Sequence, residues 1–503
     1  MTAPLSDVAR RYRFAPRDRA GVVLGLNAVQ CTLLAGALLL GGVVLQASRS
    51  ILAASVPVVL AGGVAFGRWR ARALHEWLPT TVGWVAMRGR GAHRWHTTVP
   101  LHTTARRPAA LPEFLTGLEV VDAPGPFPGV ARAHGIGVIR DQQGRMLSAT
   151  LRVRGREFTL LERHDQERIL DAWGSALGGF CREQGPVTRI TWSEWSAPAS
   201  LDEHLTFVRH HQPDTNDGGE LGRYLDLVAA AGPMTTAHDV LVTLTVDRNR
   251  TTRRHDTDDR DPAVEVLAQE VARFAQRLDH AGLAVDPPLS PAELALVLRL
   301  RADPSCAARL ARRADTIGEA VGAVSAHNWA PGAVAVDWRH VHVDQSWHRS
   351  FWIAEWPRLD VPADWMAPLI LQSGGIRTLT VVYEPVPPSR SRRAVDRDAT
   401  RLASDEDQRA RHGFRIRAQH RRAETDVAAR EAELVAGYPE LTYSGFLTIT
   451  ASDPEHLDAE TAEWEQLAAQ IGLELRALDG QHDLGLLTTL PTGRAPATRR
   501  LGP

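Results

Sequence analysis

The sequence predicts a membrane-anchored α+β protein, and three features of the 503-residue chain lead to this fold class. Residues 20–48 carry no charged side chain, and a second uncharged run, residues 50–67, follows directly after Arg49. The first run is longer than the roughly 20 apolar residues with which a helix spans a bilayer, and the second is at the short end of that range. Downstream, two series of predicted strands and helices follow the same order.

The two apolar runs are expected to form a transmembrane helical hairpin within residues 1–75. Arginine is concentrated outside the hairpin, at positions 10, 11, 13, 17 and 19 before it and 68, 70, 72, 88 and 90 after it. Because basic residues favour the cytoplasmic side, we expect two spans in the cell membrane with both termini in the cytoplasm. The residues expected at the membrane interface are Arg19, Arg68, Trp69 and Arg70. A signal peptide fits less well, since it has one shorter apolar core.

The composition excludes several classes of function. The chain has no lysine, so all 58 basic residues are arginine, and a P-loop, which needs a lysine for the phosphates, is absent. Its three cysteines lie far apart, without metal-ligand spacing. The net charge of −1 does not favour bulk binding of nucleic acid. We therefore expect no cofactor and consider direct nucleic-acid binding unfavoured.

Residues 135–289 predict a first α/β module, after an irregular, proline-rich connection over residues 76–134. The expected strands are 135–140, 146–154, 187–195, 240–246 and 283–285, with a further short strand at 158–161. The expected helices are 164–184 and 262–281, with a helical insert in 201–231. Two β–α–β units around an insert are the ferredoxin-like plan.

A helical linker, residues 290–330, begins with the start signal Ser290-Pro291-Ala292-Glu293. It leads to a second ferredoxin-like module, residues 331–493, and a tail, 494–503. The strands expected there are 333–338, 340–344, 348–356, 379–384, 442–451 and 473–478. The expected helices are 363–371 and 453–471, with a long insert at 387–437. Trp352 and Trp356 are expected to pack under the first of these helices.

The insert of the second module is rich in arginine. Residues 389–435 hold twelve arginines and nine interspersed acids, a pattern that suits ion pairs along helices. A solvated helical hairpin is one interpretation of this segment, and a docking arm for a partner is the other. The candidate docking residues are Arg409, Arg411, Arg415, Arg417, Arg421 and Arg422.

No constellation of residues indicates catalysis. His340 and His342 lie two residues apart on one predicted strand, hence on the same face, and Asp344 is next along it. These residues could begin a metal site, but a third ligand is not identifiable. The adjacent His210 and His211 and the acidic run 256–261 are more typical of solvated loops. Since no known catalytic motif occurs, the sequence predicts a protein that is not an enzyme, with no catalytic, cofactor or metal residues.

The second module carries a resemblance to a known family. The run HRSFWIAEWPR (348–358), then a helix, then TLTVVYEPV (378–386) resembles the N-terminal, non-catalytic region of the large ATPases of conjugative and type IV secretion systems. The closing segment GLELRALDGQHDLGLLTTLPTG (472–493) is similar to the end of that region. With the hairpin, the chain looks like membrane proteins of actinobacterial conjugation-type loci. The resemblance implies a scaffold that docks a separate P-loop ATPase, and it carries over no catalytic residue.

Three alternatives remain open at this level. Membrane components of type VII secretion share the plan of two N-terminal spans and a cytosolic domain, although the Trp-Pro segment and the arginine-rich insert favour the conjugation-type interpretation. A membrane-tethered enzyme of unrecognised type is the second alternative, and a protein that binds nucleic acid directly is the third. A homo-oligomer is compatible with each of them.

Overall fold

The computed structural model describes most of the chain and has an α+β architecture. The described residues are 10–14, 28–69, 72–97, 111–123, 135–155, 158–199, 208, 218–231, 236–251, 261–317, 329–411 and 418–496. They form 14 helices and 15 strands. The helices are α1 (Ala28–Ser48), α2 (Ile51–Phe66), α3 (Leu74–Gly89), α4 (Arg163–Gly178), α5 (Gly218–Ala231), α6 (Arg248–Thr251), α7 (Pro262–His280), α8 (Pro291–Ala302), α9 (Ala307–Ile317), α10 (Ala367–Ile370), α11 (Pro388–Arg411), α12 (Ala418–Val435), α13 (Pro454–Gln470) and α14 (His482–Thr489).

Thirteen of the strands belong to one antiparallel sheet. The strands are β1 (Arg68–Trp69), β2 (Arg72–Ala73), β3 (Arg94–His96), β4 (Leu118–Ala123), β5 (Ile136–Asp141), β6 (Met146–Arg154), β7 (Val187–Pro198), β8 (Thr236–Asp247), β9 (Ala284–Val285), β10 (Ala333–Val336), β11 (Val341–Val343), β12 (Ser346–Glu355), β13 (Ile376–Pro385), β14 (Leu441–Ala451) and β15 (Glu474–Ala477). The order across the sheet is β3-β10-β11-β12-β14-β13-β7-β8-β6-β5-β4, while β1 and β2 pair separately.

The sheet has two halves with the same strand order. In the first half the order is β9-β6-β8-β7, and in the second it is β15-β12-β14-β13. The halves meet where β7 pairs with β13, with Ser193 opposite Thr380. On one face, α4 and α7 cover the first half and α10 and α13 cover the second. The chain therefore builds two similar units into one continuous sheet.

Local sequence signals explain where several elements begin. Ser290 and Glu293 form a reciprocal capping box at the start of α8, and Asp261 caps α7 through the backbone N–H of Ala263. These caps satisfy N–H groups that the first turn of a helix leaves unpaired. Alternation of apolar and hydroxyl side chains along β6 and β8 buries one apolar face and leaves a polar one, where Ser148 and Thr245 are hydrogen bonded at 2.9 Å.

The C-terminal segment crosses the polar face and ties the two halves together. Helix α14 is buried against β12 and β14, and the Thr489 hydroxyl donates to Thr448 Oγ1 at 3.0 Å. Beyond it, Arg494 donates to the carboxylate of Asp141, at 3.0 Å from Nε, and to the carbonyl of Phe114 at 3.0 Å. Although burial of the Asp141 carboxyl works in the opposite direction, these hydrogen bonds hold its pKa below the ordinary value.

The structure corrects three expectations about individual elements. Residues 158–160 form a 3₁₀ turn rather than a strand. The helix predicted over 164–184 ends at Gly178, and a Cβ on the next residue, Gly179, would overlap the guanidinium of Arg277. The helix predicted over 363–371 is a single turn, α10, because Pro368 has no backbone N–H and is tolerated only in the first turn of a helix.

The predicted connection over residues 76–134 is more ordered than expected. Its described part contains most of α3, the strands β3 and β4, and a 3₁₀ turn. The boundary expected between residues 75 and 76 falls inside α3, which continues through Pro79. Strand β3 pairs with β10 and so extends the sheet of the second half.

A register shift in β12 changes the expected positions of Trp352, which lies in the strand, and of Trp356, which follows it. The pairing of β12 with β15 is irregular between Ile353 and Glu355. Trp352 is buried against Val382 and Phe446, whereas Trp356 lies in the cluster on the opposite face of the sheet. The expectation that both pack under the helix at 363–371 is therefore wrong for Trp352. An extra residue in a strand reverses the alternation of side chains beyond it.

Candidate functional site

Helix α1 is long and apolar enough to cross a membrane. Only 6% of an apolar 18-residue stretch of this helix, within Val29–Ser48, is buried inside the protein. Leu39 and Val43 are 75% and 64% exposed. The shorter apolar helix α2 lies against it, since the side chain of Gln30 donates to the carbonyl of Ala65 at 2.9 Å. A helix surface this apolar is stable where lipid, rather than water, surrounds it.

The N-terminal segment, residues 10–14, lies on the sheet region that follows α2. Tyr12 pairs with Val361 through two backbone hydrogen bonds of 2.9 and 3.0 Å. Arg10 Nη1 lies 2.7 Å from both carboxylate oxygens of Asp171 in the first half, and this hydrogen-bonded partner raises the pKa of Arg10. The ring of Phe14 packs against Trp356, with 5.2 Å between the ring centroids. This short segment therefore contacts both halves.

The arginine-rich insert forms an arm, which we define as α11 and α12. At its base, the backbone and hydroxyl of Ser389 donate to Glu183 of the first half at 2.6 and 2.8 Å. These hydrogen bonds hold the pKa of Glu183 below its ordinary value. The two helices are joined by Arg430, which lies 3.1 Å from Asp398. Because α11 has 24 residues, the arm is about 36 Å long.

The structure locates part of the predicted docking set. Arg421 and Arg422 are exposed in the first turn of α12. Arg409 and Arg411 are in the last turn of α11, but their side chains, like the whole of Arg415 and Arg417, lie outside the described residues. Sequence reasoning passed over a second group of exposed arginines, near the base of the arm. This group comprises Arg390, Arg392, Arg393 and Arg397.

The membrane-interface residues are described only in part. Arg68 lies in β1 and is exposed. Trp69 follows it in the same strand, with its side chain outside the described residues, and Arg19 and Arg70 are outside them altogether. The contacts of Arg10 and Phe14 were also missed, because nothing local in the sequence indicates which distant surface an arginine or a phenylalanine will meet.

The histidines considered for a metal are engaged in other contacts. His340 and His342 both pack on the ring of Trp347, with centroid distances of 4.7 and 4.2 Å. Burial lowers the pKa of both imidazoles. The carboxylate of Asp344 accepts from the backbone N–H of Ala333 at 2.7 Å and pairs with Arg299 at 2.6 Å. Among the described residues, no group of three or more possible ligands is placed to hold a metal ion.

Most of the residues that the sequence analysis expects in solvated loops lie outside the described residues. These are His210, His211 and residues 256–260. The last acid of that run, Asp261, caps α7 and pairs with Arg248 at 2.8 Å, as a structural residue would.

Comparison with known proteins adds no family assignment. No protein-family model matches the chain, and no curated protein matches it. The class of protein that the described residues define is an α+β protein with one N-terminal helix fit to cross a membrane. That helix, the N-terminal segment and the arm are the features from which a function is inferred.

Proposed function

We propose that this chain is a non-enzymatic integral membrane scaffold of a bacterial conjugation or secretion machine, which docks a separate P-loop ATPase at the cytoplasmic face. The observation that carries the proposal is the combination of an exposed apolar helix, α1, with a large α+β region that presents a long arginine-rich arm. The resemblance of residues 348–358 and 378–386 to the non-catalytic region of conjugative ATPases is the reason for proposing such an ATPase as the partner.

Two membrane spans with both termini in the cytoplasm fit the contacts of the N-terminal segment. Residues 10–14 precede α1, yet they bind surfaces that follow α2, including Asp171 and Val361. These contacts support a hairpin in which both ends of the α1–α2 pair lie on the same side of the membrane. Helix α2 has 16 residues and is about 24 Å long, somewhat short for a hydrocarbon core of about 30 Å. Local thinning of the bilayer accommodates such a mismatch at modest cost.

The two halves of the sheet are, in this proposal, two ferredoxin-like modules. The strand orders β9-β6-β8-β7 and β15-β12-β14-β13 support this reading, as do the paired helices on one face of each half. Each half also has its helical insert at the same place, between β7 and β8 and between β13 and β14. Inserts at equivalent positions are surfaces that can vary without disturbing the sheet.

The arm is the docking surface in this proposal. Arg421 and Arg422 are exposed near its tip, and Arg392 and Arg393 are exposed at its base. Guanidinium groups bind carboxylates through two parallel hydrogen bonds, so such a surface suits an acidic patch on a partner protein. Val395 of α11 is buried, but most of the described positions that follow it in the helix are exposed. A partner protein can therefore reach this part of α11.

Co-purification with the ATPase tests the docking role. In the experiment, the tagged full chain is extracted from membranes with detergent, and a co-purifying P-loop ATPase is identified by mass spectrometry. Arg421→Glu/Arg422→Glu should reduce the recovered ATPase at least tenfold, because charge reversal repels an acidic patch. Arg168→Glu, on α4, is the matched control and should not change the recovery. Equal recovery with the arm variant and the control would exclude docking through the tip of the arm.

A further inference from the structure

Helix α3 has its apolar residues on the outside. From Leu74 to Ala86, each exposed position is occupied by an apolar residue or glycine, whereas polar side chains such as Glu76 and Thr81 are half-buried. Leu78, Val82 and Val85 are 53%, 61% and 61% exposed. The helix of a soluble domain ordinarily has the opposite arrangement, with charged residues toward water.

The opposite side of α3 is fixed to the sheet region by aromatic contacts. Trp77 stacks on Trp338 with 5.9 Å between ring centroids, and Trp84 meets the same ring edge-on at 5.3 Å. Met87 packs against a buried apolar cluster that contains residues of both halves, among them Leu241 and Val336. The helix therefore cannot rotate to bury its apolar stripe without losing these contacts.

The surroundings of α3 are basic, and the helix closely follows α2 in the chain. Arg68, Arg88, Arg90 and Arg94 are exposed around the helix. No acidic residue occurs between Glu76 and Glu113 in the sequence. Only seven residues separate the end of α2 at Phe66 from the start of α3 at Leu74. The apolar stripe thus begins shortly after the apolar helices in the chain, and the arginines around it complement an anionic surface.

We propose that α3 is an interfacial helix that lies in the plane of the membrane and inserts its apolar stripe, Leu74, Leu78, Val82 and Val85, between anionic lipids. This inference rests on the proposed membrane anchor. Interfacial helices bury their apolar face about 5–10 Å into the headgroup region, and nearby basic residues add attraction to anionic lipids. With Trp77 and Trp84 holding α3 to the sheet, insertion would fix the orientation of the whole cytosolic region relative to the membrane.

Spin labels on the full chain test this proposal. The native cysteines are replaced by serine, and a nitroxide is attached to Val82→Cys, to Leu39→Cys in α1, or to Val435→Cys. Val435 is the matched control, since it is a valine that is 84% exposed on the arm. The protein is placed in vesicles of phosphatidylcholine and phosphatidylglycerol at 3:1. Collisions of each label with oxygen, which enters lipid, and with a water-soluble nickel chelate are then compared.

The expected result is that oxygen relaxes the labels at positions 82 and 39 several-fold more than the nickel chelate does, with the reverse at position 435. Omitting phosphatidylglycerol should lower the oxygen preference at 82 and leave that at 39 unchanged. If the label at 82 behaves like that at 435 while 39 is in lipid, the proposal for α3 is overturned and the anchor stands. Nickel-accessible labels at both 39 and 82 would overturn the anchor as well.

Two other outcomes would also count against the proposal. Shielding of position 82 from both relaxants, with dipolar broadening between labels, would assign the stripe to a second copy of the chain. An oxygen preference at 82 that is independent of phosphatidylglycerol would overturn the role of the arginines in selecting anionic lipid.

Discussion

At the scale of single residues, two oppositely charged side chains are buried where the halves of the sheet meet. Glu194 on β7 and Arg377 on β13 form an ion pair, and their side chains are 2% and 0% exposed. His238 Nδ1 lies 2.6 Å from the same carboxylate, and the guanidinium of Arg377 is 5.0 Å from the ring centroid of Trp464. A buried charge is tolerated only when it is paired and hydrogen bonded. Each side chain of the pair therefore depends on the other half of the sheet for its partner.

Removing one member of this pair should be costly. Glu194→Ala is expected to lower the free energy of unfolding by about 3–5 kcal/mol, because it leaves the guanidinium of Arg377 buried without its carboxylate. The control is Glu119→Ala, since Glu119 and its partner Arg140 are 47% and 34% exposed and such pairs contribute less than about 1 kcal/mol. Urea unfolding of the full chain in detergent, followed by tryptophan fluorescence, measures both. Similar losses for the two variants would contradict the account.

His348 predicts a dependence of stability on pH. Its imidazole is fully buried, with Nε2 2.9 Å from the carbonyl of Ala302 and Nδ1 2.9 Å from the hydroxyl of Thr450. Burial lowers the pKa of His348 to about 4. The unfolded chain therefore takes up this proton first on acidification, near its ordinary pKa of about 6.5. The stabilisation is complete above that pH and is lost as the pH falls toward 4, by about 3 kcal/mol in total.

The variant His348→Gln should reduce this acid sensitivity, because glutamine does not titrate. We expect the difference in unfolding free energy between pH 7 and pH 4.5 to shrink by about 2–3 kcal/mol in the variant. The carboxyl of Asp483 acts in the opposite sense, since burial raises its pKa to about 6, so the comparison must be made between variants. His164→Gln, at an exposed position, serves as control. An unchanged pH dependence in His348→Gln would show that the imidazole is not buried in its neutral form.

At the scale of elements, the irregularity in β12 separates the roles of two nearby tryptophans. Trp352 is 1% exposed, and Trp352→Ala should cost about 3–5 kcal/mol of unfolding free energy, as for other buried aromatic residues. Trp356 instead supports Phe14. Trp356→Ala should therefore cost less overall but speed tryptic cleavage after Arg11 and Arg13, measured by mass spectrometry. Faster cleavage in Trp352→Ala than in Trp356→Ala, under native conditions, would contradict this division.

Elements with strong local signals could be predicted from the sequence, whereas those set by distant contacts could not. The capped starts of α7 and α8 and the alternating strands β6, β8 and β14 agree with prediction to within a few residues. The irregularity in β12 depends on pairing with β15, more than a hundred residues away, and no local pattern reveals it. Helix α3 could not be predicted for a related reason. Its packing against the distant Trp338 outweighs the loss of helix stability that Pro79 causes.

At the scale of the whole molecule, the repeated order of elements was visible in the sequence, but the way in which the halves combine was not. Pairing of β7 with β13 joins strands that are almost two hundred residues apart. The C-terminal segment adds a second connection, since Arg494 reaches Asp141 in β5 and Phe114 in the turn before β4. For the candidate site, the exposed arginines of the arm could be predicted from composition, whereas the anchoring of residues 10–14 could not.

The topology of α1 and α2 is the claim on which the proposed function depends most. Its test uses a chain without native cysteines, carrying Ser48→Cys at the end of α1 that faces α2 in the chain, Arg11→Cys in the N-terminal segment or Tyr438→Cys in the region proposed to be cytosolic. All three positions are exposed. Intact cells are treated with a membrane-impermeant maleimide. We predict labelling of Ser48→Cys alone, with the other two labelled only after the membrane is permeabilised. Labelling of Arg11→Cys in intact cells would contradict the two-span anchor.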